Sequence, residues 1–186
     1  MIQTKKLTEH VWLMDDQGSS RYVVLGEKKA LVVDTMNGSE NVKEIVRTIT
    51  GLPVMVINTH VHPDHIGGNH FFDEVYMSPY DMPYVEMFTA PENLDKRPVV
   101  HPVREGNVID LGGLHVEVYE LPGHTPGELC LLLVEEQILF PGDGINHHLW
   151  MQLEESSSMT ELVNNLEKVM YLTDKADVIL HGHARG

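Results

Sequence analysis

Apolar residues along this chain fall into two rhythms, short alternating runs and a helical period, and their order predicts the elements. Apolar runs at residues 10–14, 21–25 and 30–34 are separated by the turn pairs Gln17-Gly18 and Gly26-Glu27, which predicts an antiparallel meander. Residues 40–50 then place Val42, Ile45, Val46 and Ile49 on one helical face, with Gly51 set to end the helix. Leu52-Pro53 leads into a buried strand over 54–58. A short helix is predicted over 68–72, a strand over 75–77, and a helix-like segment over 79–88 with Pro79 near its start. The stretch 89–102 is rich in proline and charge, lacks periodicity, and reads as a surface loop. Strands resume at 107–110, 115–119, 129–134 and 137–140, the last two joined by a tight Glu135-Glu136 turn. Residues 158–172 put Leu162, Val163, Leu166, Val169 and Met170 on one face, and Ser157 or Ser158 can cap that helix. A last strand is predicted over 178–180.

Two strand-rich halves, each carrying helices, imply an α/β protein of two sheets packed face to face with helices outside. At 186 residues and 42% hydrophobic content, a single domain over 1–186 has core enough to fold without staples. No apolar stretch approaches a membrane span, and the first six residues lack the apolar core of a secretory signal. Cys130 is the only cysteine, so no internal disulfide can form; its place in an apolar strand makes it a packing residue. A cytoplasmic location with no membrane partner is expected. The formal charge of −15 opposes nucleic acid as a partner and favours divalent cations.

The candidate chemistry starts in Thr59-His60-Val61-His62-Pro63-Asp64-His65 and continues at His124, Asp143 and His183. Each later residue sits where an apolar run breaks at glycine, which places the polar groups on loops at strand ends. A spacing of two puts His60 and His62 on one side of an extended loop. With His124 they suit a catalytic zinc site that leaves one position open. Asp64, His65 and His183 suit a second ion, and Asp143 has two oxygens with which to bridge. Two dications bring roughly +4, and two aspartates with a bridging hydroxide about −3, so the pair comes close to neutrality. Metal lowers the pKa of bound water from about 15.7 to near 7. The expected reaction is therefore attack by a metal-bridging hydroxide on a carbonyl or phosphorus centre, with Asp64 as the catalytic side chain. Asp34 is expected to orient a ligand imidazole, or else to cap a helix. Thr125 either does similar work or satisfies its own loop, and Asn69 either caps the short helix or meets substrate. His147 and His148, beside Trp150, face either substrate or solvent. His181 shares parity with His183 and is its rival as the last ligand.

The stretches 30–35, 58–69 and 122–125, with Gly142-Asp143 and Gly182-His183, together resemble the metallo-β-lactamase-fold hydrolase superfamily over most of the chain. The resemblance implies an αββα sandwich of two mixed β-sheets with helices on the outer faces and a binuclear site at its edge. It assigns His60, His62 and His124 to one ion, Asp64, His65 and His183 to the other, and Asp143 to both. Two Zn2+ ions are implied, with iron or manganese as alternatives. Within the superfamily the pattern is similar to glyoxalase-II-like thioesterases and lactonases, implying hydrolysis of a small-molecule ester, thioester or lactone. Di-zinc β-lactamases place cysteine where Asp143 stands, and flavo-diiron proteins place glutamate at the His62 position. Glyoxalase II continues into a helical region, whereas Gly186 closely follows His183 here. An extended C-terminal region is thus not expected, and a homodimer would cover the apolar face so left. An iron-dependent persulfide dioxygenase and a non-enzymatic metal-binding module are the alternative functions.

Overall fold

The computed structural model describes residues 1–183, and the apolar runs become two mixed sheets, one of seven strands and one of five. Strand β1 (Gln3–Lys6) is added at the edge of the expected antiparallel meander of β2 (Val11–Asp15), β3 (Ser20–Leu25) and β4 (Ala30–Val33). Helix α1 (Val42–Ile49) then crosses over to β5 (Val54–Ile57), which lies parallel to β4. Asn41 caps α1, its side chain accepting from the Glu44 amide. After the one-turn helix α2 (Pro63–Ile66), β6 (Glu74–Met77) is added in parallel. Helix α3 (Val85–Phe88) lies on the path to β7 (Val99–Pro102), the parallel outer strand.

The second sheet is antiparallel through β8 (Val108–Asp110), β9 (His115–Glu120), β10 (Leu129–Leu133) and β11 (Ile138–Phe140). Helix α4 (Met159–Val169) returns the chain to β12 (Val178–Ile179), which pairs in parallel with β11. Central strands are buried on both faces, which is why they read as unbroken apolar runs. Leu31 and Val33 of β4 meet Leu129, Leu131, Leu133 and Phe140 in the core between the sheets. Ala30 and Val32 turn the other way, onto Val42 and Val46 of α1. On the far side, Cys130 and Leu132 of β10 pack with Leu166 and Val169 of α4. The layers therefore run helix, sheet, sheet, helix, as expected from the sequence.

Four details differ from expectation. Strand β1 is exposed along its whole length and is held by backbone pairing, with no apolar alternation to announce it. Strand β7 lies inside the proline-rich stretch, where an outer strand tolerates Pro102 because one side of its backbone has no ladder to serve. The segment 79–88 divides into a 3-10 turn at Met82–Tyr84 and α3, with Pro83 in the first turn. The helix expected over 158–172 ends at Val169 and tightens into a 3-10 turn over Met170–Asp174. Among the described residues no helix is long and apolar enough to cross a membrane.

Candidate metal centre

One edge of the sandwich collects the chain segments that follow β4, β5, β9, β11 and β12. Asn58 and Thr59 leave β5, and His62 takes the N-cap position of α2, whose Pro63 has the fixed φ suited to a first turn. His60 and His62 thus precede the helix while Asp64 and His65 sit in its only turn. The segment after β9 carries His124, the turn after β11 carries Asp143, and the segment after β12 carries His183.

Ligand atoms of these residues gather into three overlapping groups, each within 4.8 Å. They are His60 with His62 and His124, His60 with His65 and Asp143, and Asp64 with His65 and His183. Asp143 touches both ends: Oδ2 lies 3.0 Å from His183 Nε2 and 3.8 Å from His124 Nε2, while Oδ1 lies 3.6 Å from His65 Nε2. All seven side chains singled out in the sequence are brought together. His183, not His181, enters the cluster; His181 faces His147 edge-on instead, ring centroids 5.0 Å apart.

Whether these residues fit a metal can be judged from their unpaired atoms. His60 Nε2, His65 Nε2 and Asp143 Oδ1 are buried without a hydrogen-bond partner. A buried polar atom left so is costly, and cations held in the cluster would satisfy all three. The opposite ring nitrogens are occupied. His65 Nδ1 lies 2.7 Å from Asp34 Oδ2, His62 Nε2 lies 2.6 Å from Glu155 Oε1, and His60 Nδ1 lies 3.1 Å from Thr59 Oγ1. His124 Nδ1 and His183 Nδ1 reach the carbonyls of Trp150 at 2.6 Å and Gly18 at 2.7 Å. Each outer acceptor gives the far nitrogen a partner for its proton, so that the inner one can offer a lone pair when a metal takes the place of its proton.

Electrostatics point the same way. Burial is the largest influence on His65 and opposes a charge there, as does Arg21; Asp34, Asp64 and Asp143 outweigh them and raise its pKa to about 9. Burial also favours a neutral Asp143, yet His65 and the His183 hydrogen bond hold its carboxyl far below the usual range. Asp64 is likewise lowered against burial by His65 and Arg21. Positive charge is thus favoured around His65, while burial and the neighbouring imidazoles push His60 and His124 down and keep them neutral. Crowding shapes it too. A Cβ on Gly182 would strike Asp143 Oδ1, and one on Gly142, where φ is +56°, would strike Glu128 and Thr59.

Asp34 orients His65, as the sequence suggested, and caps no helix. Thr125 does neither expected job: its Oγ1 donates to Asp81 at 2.9 Å. Asn69 is buried and bonded to Thr35 and Asn58, and it does not line the cleft over the cluster. His148 joins Phe88, Trp150 and Leu153 in lining a cleft of about 550 Å3 over the cluster. Four residues escaped the sequence reading. Arg21, 1% exposed, donates to Asp64 Oδ2 at 2.9 Å and to the Gly182 carbonyl at 2.5 Å. Glu128, wholly buried, accepts from the Asp143 amide at 3.0 Å; burial, reinforced by Asp143, pushes its pKa well up. Asp81 and Glu155 are the other two. A charged residue beside an apolar run was the only signal for Arg21 and Glu128.

The sequence model of the metallo-beta-lactamase superfamily matches residues 14–183. The acyl-coenzyme A thioesterase MBLAC2 of Gallus gallus is 28% identical over 196 residues, covering 87% of this chain and 71% of that protein. A hydroxyacylglutathione hydrolase of Francisella tularensis subsp. novicida (strain U112) is 28% identical over 153 residues, covering 82% of this chain and 58% of that protein. Among solved structures, a metallo-beta-lactamase from Pontibacter korlensis matches with a TM-score of 0.81 at 20% identity, covering 99% of this chain and 92% of that one. At that identity the likeness speaks for the fold alone.

Proposed function

This chain belongs to the metallo-beta-lactamase superfamily, and on that premise we propose that it is a binuclear zinc-dependent hydrolase of small thioesters. The observation that carries the reading is the position of Asp143, against His65 and His183 on one side and His124 on the other. Similarity to a thioesterase and to a hydroxyacylglutathione hydrolase, both by name acting on thioesters, favours that bond over an ester or lactone.

His60, His62 and His124 would hold one ion, Asp64, His65 and His183 the other, with Asp143 reaching both. Imidazole and carboxylate donors without thiolate suit zinc, and also iron or manganese. Bound there, the ions would polarise the thioester carbonyl and bring the pKa of a water molecule towards neutrality. The remaining work falls to the chain. Arg21 helps hold Asp64 ionised through Oδ2, the oxygen facing His65 and His183, which leaves Asp64 Oδ1 to take the proton released as water attacks the carbonyl carbon. As the C–S bond breaks, the departing thiolate takes that proton up and leaves as the thiol. Phe88, Trp150 and Leu153 offer an apolar wall for the acyl group, which thins the water around the carbonyl.

The test pairs metal quantification with a thiol-release assay over acyl thioesters, esters and lactones. Two ions per chain and preferential thioester cleavage are expected. Asp143→Ala should lose one ion and lower kcat/KM by more than about 100-fold, the scale on which loss of a main electrostatic group is felt. Undiminished turnover after chelation, or oxygen uptake with a persulfide in place of thiol release, would overturn the reading.

A further inference from the structure

Residues 146–157 contain neither helix nor strand, yet they supply the outer contacts of two of the imidazoles. Glu155 Oε1 lies 2.6 Å from His62 Nε2, and the Trp150 carbonyl lies 2.6 Å from His124 Nδ1. Two further bonds hold the strap to the same loop: Ser156 Oγ donates to the His124 carbonyl at 2.9 Å, and the Ser157 amide to the Gly123 carbonyl at 2.8 Å. On its other side the strap turns Asn146, His148, Trp150 and Leu153 into the cleft. One irregular segment therefore presents a wall to substrate and hydrogen-bond acceptors to His62 and His124.

We infer that Glu155 is a positioning residue that couples the 146–157 strap to the ion held by His60, His62 and His124. The inference rests on the metal reading given above. His62 Nδ1 and His124 Nε2 lie 2.9 Å apart, so both inner nitrogens point at one centre while both outer nitrogens are held by the strap. Glu155 and His62 have side chains only 9% exposed, so this is a desolvated contact rather than a loose surface pair. A carboxylate accepting from Nε2–H locks the tautomer with its lone pair on Nδ1 and makes that nitrogen a better donor to metal. Without the acceptor, the His62 ring is free to turn and to carry its proton on the inner nitrogen. Coupling of this kind is reciprocal: an ion that fixes His62 and His124 also fixes the strap, and an ordered strap tightens the ion.

The test measures zinc affinity by chelator competition, and hydrogen exchange over 146–157 with and without zinc. In the wild type, zinc should slow exchange across the strap. Glu155→Ala should weaken binding at this position about 10–100-fold, the range for loss of an outer partner, and should abolish the zinc-dependent protection. Glu155→Gln keeps an acceptor oxygen and should recover most of the affinity, whereas Glu155→Leu keeps bulk without an acceptor and should not, the reverse of what a packing role gives. Wild-type affinity in Glu155→Ala, or strap exchange in the wild type that ignores zinc, overturns the inference. The second measurement needs no variant, so it decides the matter even where Glu155→Ala fails to fold. A wild-type protein that binds no zinc at all would instead bring down the metal reading, and this coupling with it.

Discussion

Asp81 joins the two halves of the site without touching a ligand. It accepts from Thr125 Oγ1 at 2.9 Å and from the Gly127 amide at 2.7 Å, next to His124 in the chain. Burial raises its pKa to about 6, although the bonds from Thr125, Gly127 and Val61 pull the other way. The unfolded carboxyl titrates near 3.8. Between those values the folded protein keeps a proton that the unfolded chain has released, so stability falls as pH rises through this window. Above about 6 the loss is complete, on the order of 3 kcal/mol. Asp81→Asn removes this dependence, so denaturant titrations at pH 4 and 7 should show its stability relative to wild type rising by about that amount. A difference that stays flat across the window contradicts the assignment. The clustered residues could be read from the sequence because His60, His62, Asp64 and His65 are packed into six positions and the rest follow strand-ending apolar runs. Their outer partners could not. Arg21 meets Asp64 across 43 positions, a contact that needs β3, β4 and β5 assembled, and Glu155 meets His62 across 93, a contact that needs both sheets.

Helix α4 contributes no residue to the cluster, yet it is tied to the site. Ser158 and Glu161 form a reciprocal capping box at its start, and Leu162 in the first turn is buried against Gly123, where a Cβ would strike the Leu162 side chain. Asn165 Nδ2 also donates to the Pro122 carbonyl at 2.8 Å. The helix is thus seated on the loop that carries His124. Ser158→Ala should cost about 1 kcal/mol of stability in denaturant titration while thiol release per bound ion stays unchanged. Leu162→Ala should cost about 2–5 kcal/mol and, because the His124 loop loses its seat, should also weaken metal retention in dialysis. Equal retention by both variants would separate the helix from the site. Elements whose stability comes from burial were visible in the sequence: β4 and β10 as apolar runs, α1 and α4 as helical stripes. Those held by backbone pairing at an outer edge, β1 and β7, left no such trace.

At the scale of the whole molecule, the core between the sheets is apolar and lies apart from the ligand cluster. Chelation should therefore lower the melting temperature without unfolding the protein. A ligand present at a thousandfold its Kd contributes about 4 kcal/mol, which for a chain of this size is roughly 10 °C. Calorimetry and far-UV circular dichroism with and without chelator would show it, and collapse of the secondary structure in chelator would mean that the sandwich needs its ions. The cluster draws its residues from segments of both sheets. Its contributors run from His60 to His183, and the Gly182 carbonyl is anchored by the Ser20 amide and by Arg21. While a ribosome is still adding the second sheet, the emerging polypeptide already displays three imidazoles and a carboxylate with nothing to close around a cation. The full donor set is thus out of reach until both sheets are in place, and a chain interrupted before His124 keeps only the open half of it.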